Sequence, residues 1–180
     1  MHKKKIAIIG ASYLQLPLVK KAKNLGIETH CFAWEEGAVC KDIADFFYPI
    51  SILHKDEILK KCKVIDIDAI TSIASDAAVP TICYVAENMN LIGNSIITAE
   101  ATTNKFLMRN ILCENNVNSP KYFIHSNDNI VNNLKFPLIV KPTDRSGSRG
   151  VTKVENMEQY EIAVKRAKSE SFSKTAIVEE

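Results

Sequence analysis

The sequence has no marked excess of either charge, since 23 Lys and Arg residues stand against 21 Asp and Glu, giving a formal net charge of +2 and a pI near 8.2. The basic residues are spread along the chain, so a nucleic-acid or acidic-membrane partner is not expected. There are no internal repeats and no low-complexity segments. With 46% apolar residues, the composition is typical of a globular protein that buries a core.

Long apolar runs are also missing, and none approaches the roughly 18 residues needed to span a bilayer. The start, "MHKKKIAIIGAS", has a basic flank, but its apolar stretch is too short for a signal peptide and is interpreted as a strand. The five cysteines are an odd number without CxxC spacing, which favours neither a disulfide framework nor a zinc site. A cytoplasmic protein is expected.

Two nucleotide-binding motifs are absent. The first turn, "GASYLQ", has one glycine where a dinucleotide loop needs GxGxxG, which disfavours a nicotinamide-dependent oxidoreductase. Tyr13 and Gln15 in this turn are interpreted as packing residues. The segment "KPTDRSGSRG" is not a Walker A loop, because its lysine precedes the glycines and a strand-like sequence follows.

Alternating strand and helix patterns fill the first 97 residues and predict a small, doubly wound α/β domain. The first strand, "KIAII", shows no alternation of polar and apolar residues, as expected for a parallel strand covered on both faces. The predicted elements are strands at 5–9, 27–33, 46–50 and 69–74 and helices at 14–25, 56–63 and 76–89.

The pattern changes after residue 97. One long helical pattern over 95–116 predicts a connecting helix, assigned to 98–118, and an α+β region follows at 119–180. Its predicted elements are a strand at 121–124, a polar region at 127–133, a hairpin at 136–154, a helix at 157–169 and a strand at 175–180. A sheet that ended with this last strand would leave an unpaired edge. The chain is therefore expected to be the truncated front part of a longer protein.

The hairpin "FPLIVKPTDRSGSRGVTKV" carries the clearest candidate site. Lys141 ends its first strand, and the turn offers backbone N–H groups, hydroxyls and a cation that can close on phosphate oxygens. An ordinary exposed hairpin with an incidental lysine remains the alternative. The candidate residues of the turn are Ser146, Gly147, Ser148, Arg149 and Gly150.

This segment resembles the nucleotide-binding hairpin of the ATP-grasp superfamily, in which a "PhhhKP" strand leads to a "GSxGV" flap over ATP. "TTNKFLMRNILCENNVNSPKYF" is similar to the helix and strand of that superfamily which carry its first phosphate-binding lysine, here Lys105. "TAIVEE" resembles the strand entering the adenine hinge, which places Glu179 and Glu180 near the purine. The first 93 residues resemble the preceding small α/β domain, and the whole looks most like carbamoyl-phosphate-synthase-like and amino-acid-ligase-like members.

The resemblance implies an ADP-forming ligase that activates a carboxylate as an acyl phosphate for attack by an amine or thiol. ATP and Mg²⁺ are then the cofactors, with the metal ligands expected beyond residue 180, so that these 180 residues alone would lack turnover. The partners would be small-molecule substrates, and a homodimer is left open. The alternative is a non-catalytic α/β nucleotide-binding or interaction module.

Lys105 and Arg109 are four residues apart, so a helix places them on one face. That face could bind phosphate or could be an ordinary solvated basic surface. The second interpretation applies more strongly to Arg109, which is left out of the candidate site.

Overall fold

The computed structural model of the protein describes residues 3–125 and 135–180. The chain divides into two compact units, Met1–Ala99 and Glu100–Glu180, called unit 1 and unit 2 below. The polar region predicted at 127–133 lies outside the described residues. Within the described residues, no helix combines the length and the apolar character that crossing a membrane requires.

Unit 1 is built on a four-stranded parallel sheet with the strand order β3-β2-β1-β4. Its elements are β1 (Lys5–Ile9), α1 (Leu16–Asn24), β2 (Glu28–Phe32), β3 (Phe46–Tyr48), α2 (Lys55–Ile65), β4 (Ala69–Thr71), a 3-10 turn (Asp76–Ala78) and α3 (Val79–Asn88). The predicted α/β fold is confirmed.

Both faces of this sheet are covered, which explains the unbroken apolar character of β1. Ala7 and Ile9 lie in a cluster with buried residues of α2 and α3. Ile8, between them in sequence, points to the other face and lies in a cluster with Val19 of α1. Because neighbouring strand residues point to opposite faces of the sheet, and both faces are covered, all three residues are buried in a hydrophobic core.

The turn after β1 is fixed by Gln15. Gly10 has φ +102°, a conformation that favours glycine. The Gln15 side-chain oxygen accepts hydrogen bonds from the backbone N–H of Ser12 at 3.1 Å and from its hydroxyl at 2.8 Å, while Nε2 donates to the Ile73 carbonyl at 2.6 Å. Gln15 is thus a packing residue, as predicted, whereas Tyr13 is 70% exposed and the same interpretation was wrong for it.

Unit 2 contains a four-stranded antiparallel sheet with the order β5-β8-β6-β7. One face packs against a helix through a cluster that includes Val140, Val178 and Tyr160. The helix, predicted at 157–169, begins after Asn156, whose side-chain oxygen accepts a hydrogen bond from the N–H of Gln159 at 3.0 Å. The elements beyond α4 (Ile96–Thr103) are α5 (Lys105–Glu114), β5 (Tyr122–Ile124), β6 (Leu138–Pro142), β7 (Thr152–Val154), α6 (Met157–Glu170) and β8 (Ala176–Glu179).

The single helix predicted over 95–116, and with it the connecting helix assigned to 98–118, is wrong, because the chain breaks at Asn104 between α4 and α5. Asn104 has extended backbone angles, and its side-chain oxygen accepts hydrogen bonds from the N–H groups of Phe106 and Leu107 at 3.0 and 3.2 Å. This is an N-cap, which starts a new helix and typically contributes about 1 kcal/mol.

The expectation that the last strand would be an unpaired edge is also wrong. β8 lies inside the sheet, hydrogen-bonded to β5 on one side and β6 on the other. The edge strands of this sheet are β5 and β7.

Candidate nucleotide-binding site

The glycine-rich turn connects two paired strands in unit 2, as the sequence predicts. β6 and β7 are antiparallel, with Leu138 opposite Val154 and Val140 opposite Thr152. The tip residues 146–149 are exposed, whereas Gly150 is buried. An exposed tip is open to solvent and can be approached by an anion, as a phosphate-covering loop requires.

Two glycines of the turn have positive φ but different surroundings. Gly147 has φ +66° and open space where a Cβ would lie. Gly150 has φ +69°, and a Cβ there would lie 2.9 Å from Cγ of Pro142 and 3.1 Å from Cβ of Glu170. Gly147 therefore needs glycine for its backbone alone, while Gly150 also allows the end of the turn to approach β6 and α6 closely.

The base of the turn is held by Asp144. Its carboxylate accepts hydrogen bonds from the N–H groups of Phe172 and Ser173, at 3.0 and 2.7 Å, and from the Ser171 hydroxyl at 2.8 Å. Burial raises the pKa of Asp144, but these hydrogen bonds outweigh it and the net pKa is lowered. The beginning of the turn is thus anchored to the segment between α6 and β8, while the tip is not.

Lys105 is attached to the same turn by two contacts. It is the first residue of α5, and its backbone N–H donates to the Thr143 carbonyl at 2.8 Å. Its ammonium donates to the Arg145 carbonyl at 2.5 Å. The cap at Asn104 starts the helix at this point, so the break in the helical pattern is what brings Lys105 to the turn.

Lys141 lies on the sheet face opposite the core. Because side chains alternate along a strand, Lys141 shares its face with Ile139, Ile177 and Glu179, which are paired across β6 and β8. Helix α5 contributes to this face as well, since Asn110 accepts a hydrogen bond from the Tyr122 hydroxyl at 2.8 Å. A lysine on this face is therefore held close to polar groups and is not freely solvated.

The ammonium of Lys141 donates to Oε2 of Glu179 at 2.6 Å. The guanidinium of Arg109 contacts the same carboxylate, with Nε 2.9 Å from Oε1 and Nη2 3.3 Å from Oε2. The side chains of Lys141, Arg109 and Glu179 are only 15%, 16% and 5% exposed. We call this arrangement of two cations on one carboxylate the Arg109–Glu179–Lys141 triad.

The positive and negative charges of the triad do not cancel. Burial raises the pKa of Glu179, but the hydrogen bonds and charges of Arg109 and Lys141 lower it by more, so that the net pKa is below its ordinary value and the carboxyl is ionised at neutral pH. Two positive groups then face one negative group, which leaves one positive charge on a largely buried surface. A buried surplus of positive charge favours an anionic ligand.

The predicted site residues are brought together in part. Lys105 contacts the turn, and Lys141 contacts Glu179. Glu180 is separate, because its exposed side chain lies 3.5 Å from Lys121.

Arg109 is the residue that sequence reasoning missed. Its spacing from Lys105 was the available signal, because i and i+4 share a helix face. Nothing local showed that this face of α5 would cover a sheet and meet a carboxylate 70 positions along the chain.

A magnesium site does not fit the described residues. Within residues 3–125 and 135–180 there is no group of three or more His, Cys, Asp or Glu side chains placed to hold a metal ion. The carboxylates of Asp144 and Glu179 already accept hydrogen bonds from protein donors, and that of Glu170 lies 3.7 Å from Nη2 of Arg145.

Comparisons with known proteins indicate the class of protein to which this chain is similar. They are considered together with its glycine-rich hairpin, its two lysines and its antiparallel sheet. Residues 104–180 match the family model described as D-ala D-ala ligase C-terminus. That match and the relatives below support membership of the ATP-grasp superfamily.

Its relatives are ligases and transferases. The chain is 27% identical over 166 residues to the formate-dependent phosphoribosylglycinamide formyltransferase of Prochlorococcus marinus subsp. pastoris, covering 89% of this chain and 42% of that protein. It is 37% identical over 82 residues to a D-alanine–D-alanine ligase of Azobacteroides pseudotrichonymphae, covering 42% of this chain and 25% of that protein.

The same architecture occurs in solved structures. Phosphoribosylglycinamide synthetase from Anaerococcus prevotii superposes with a TM-score of 0.71 at 26% identity, covering 99% of this chain and 46% of that one. Among the other solved structures of this fold, one protein was determined in complex with ADP and another in complex with MgADP. The chain spans less than half the length of the relatives named here.

Proposed function

We propose that this chain supplies the nucleotide-binding front half of an ATP-dependent ligase that joins a carboxylate to an amine or thiol. A carboxylate oxygen attacks the γ-phosphorus of ATP, the bond to the leaving ADP breaks, and an acyl phosphate forms. The amine or thiol then attacks the acyl carbon, inorganic phosphate leaves, and the nucleophile loses its proton. The similarity to named ligases supports this reaction class.

The observation that carries the proposal is the placement of Lys141. Its ammonium is held on a nearly buried carboxylate, at the end of the strand that leads into the glycine-rich turn. Phosphoryl transfer requires little covalent chemistry from a protein, so positioned positive charge is its main contribution. Lys141 and Lys105 would hold phosphate oxygens of ATP, and the N–H groups of residues 146–150 would cover the phosphates and exclude water.

The remaining parts of the reaction belong to residues outside this set. Mg²⁺ would supply positive charge to the phosphates, but the described residues do not form a site for it. We propose that its ligands, and the substrate carboxylate site, lie beyond residue 180 in the full-length protein. Glu179 is proposed to hold Lys141 and Arg109 and not the purine, because its carboxylate is already occupied by them.

The proposal is tested by measuring ATP binding to the full-length protein by isothermal titration calorimetry. Lys141→Ala is expected to weaken ATP binding by about 10- to 100-fold, since a charge-assisted contact contributes about 1.5–3 kcal/mol. Lys165→Ala removes an exposed lysine on α6 and should leave the affinity unchanged. Thermal unfolding of each variant shows whether it is folded.

Unchanged affinity in folded Lys141→Ala would contradict the proposed site. It would favour the alternative of a binding or interaction module whose hairpin holds no nucleotide.

A further inference from the structure

We infer that Arg109 is a positioning residue for nucleotide binding, which acts by holding Glu179 so that Glu179 places the Lys141 ammonium without cancelling its charge. This inference rests on the proposed function. Arg109 touches the carboxylate and not Lys141, so its effect on a nucleotide passes through Glu179.

The geometry divides the carboxylate between two donors. Oε1 accepts from Nε of Arg109, while Oε2 accepts from Lys141 at 2.6 Å and from Nη2 of Arg109 at the longer distance of 3.3 Å. The plane of the guanidinium fixes the orientation of the carboxylate because two of its N–H groups engage both oxygens. With the carboxylate fixed, the short contact fixes the end of a long, flexible lysine side chain.

The charges give Arg109 a second effect. Glu179 alone would neutralise Lys141, and the pair would present no net charge to a phosphate. With Arg109 the three groups carry one net positive charge. Their low exposure means that this charge is weakly screened by solvent.

No other charged side chain is described in contact with the Glu179 carboxylate. Arg109 faces it from α5 and Lys141 from β6, and Tyr122 stands opposite it on β5 with its hydroxyl donated to Asn110. Removal of Arg109 should therefore lower the net positive charge of the site by one. In the absence of Arg109, an ionised Glu179 would neutralise the positive charge of Lys141, whereas a protonated Glu179 would leave that charge in place.

The test is the affinity of the full-length protein for ATP as a function of pH, measured for Arg109→Met and for the wild type. We expect Arg109→Met to bind ATP about tenfold more weakly than the wild type at pH 8, corresponding to loss of one charge-assisted contact. The deficit should shrink as the pH is lowered, because the loss of one cation from this buried site raises the pKa of Glu179 above its wild-type position and its protonation restores the net positive charge. Titration of ATP itself cancels in the ratio of the two proteins.

Two further variants complete the test. Arg109→Lys keeps the charge but loses the two-pronged contact with the carboxylate, so it should restore the wild-type pH profile while recovering the affinity only in part. Arg166→Met makes the same substitution at an exposed arginine of α6 and should match the wild type throughout. If Arg109→Met does not fold, Arg109→Gln, which keeps a neutral donor for Glu179, is measured in its place with the same expectation.

An Arg109→Met affinity equal to that of the wild type would overturn the inference. A deficit that is the same at every pH would overturn it too, because it would point to a direct phosphate contact or to a general structural role. Absence of ATP binding by the wild type is a different result, and would overturn the proposed function itself.

Discussion

Replacing Glu179 by glutamine removes the negative charge from between two largely buried cations. Removing one partner of a buried ion pair typically costs about 3–5 kcal/mol, because it leaves the other charge uncompensated. Glutamine keeps one oxygen acceptor but turns an N–H donor toward Arg109 or Lys141. One of the present contacts can survive and the others cannot, so we expect the free energy of unfolding of unit 2 to fall by about 3 kcal/mol.

The neighbouring residue supplies a matched control. Glu180→Gln is the same chemical change one position along, but Glu180 meets an exposed lysine at 3.5 Å and should show no measurable change. Trp34, the single tryptophan, lies in unit 1, so its fluorescence does not report on unit 2. Native-state hydrogen exchange of the β6 and β8 amides, followed by mass spectrometry, measures the required free energy directly.

The pH dependence of stability gives a second check on the contribution of Glu179. Because the pKa of Glu179 is lowered in the folded protein, its contribution is fully present above its unfolded pKa of about 4.3 and is lost as the pH falls through the folded value. The stabilities of the wild type and Glu179→Gln should therefore converge only as the pH falls below the lowered folded pKa of Glu179. Equal losses in the two glutamine variants, or a Glu179→Gln deficit that persists undiminished in acid, would refute the reasoning.

The glycines of the turn and the missing metal ligands give two more predictions. Gly147→Ala should cost about 1 kcal/mol of unfolding free energy and Gly150→Ala about 3 kcal/mol, because only the second places a Cβ 2.9 Å from Pro142 in addition to the strain of positive φ; chemical denaturation compares them, and similar losses would contradict the packing argument. A coupled assay of the purified 180-residue chain with ATP should show no ADP release above background, and a measurable rate would show that its own residues suffice for turnover.

The order of strands and helices could be predicted because it follows from local sequence patterns. The unbroken apolar run of β1 requires cover on both faces, and the glycine-rich stretch between β6 and β7 requires a turn. The resemblance of Lys105 and Lys141 to phosphate-binding lysines singled out two residues that lie beside the turn and on the strand before it, and their binding role stays a prediction. These features depend on residues that are close in sequence.

The features that sequence reasoning missed depend on partners far along the chain. The helical pattern over 95–116 continues through Asn104, and the break is supported by the Lys105 backbone N–H, which donates to the Thr143 carbonyl. Arg109 meets its carboxylate only when α5 lies over the sheet. Local periodicity carries no information on either contact, because both are set by tertiary packing.

The central place of β8 has a consequence for biosynthesis. Within the described sheet, β5 has no strand neighbour except β8, so its ladder cannot close until residues 176–179 have been synthesised. On the ribosome the β6–β7 hairpin can form early, since its contacts are local, while β5 must wait with unpaired backbone groups. Synthesis that pauses before this point would leave a nascent chain that chaperones can recognise, and the arrival of residues 176–179 would give β5 its partner strand.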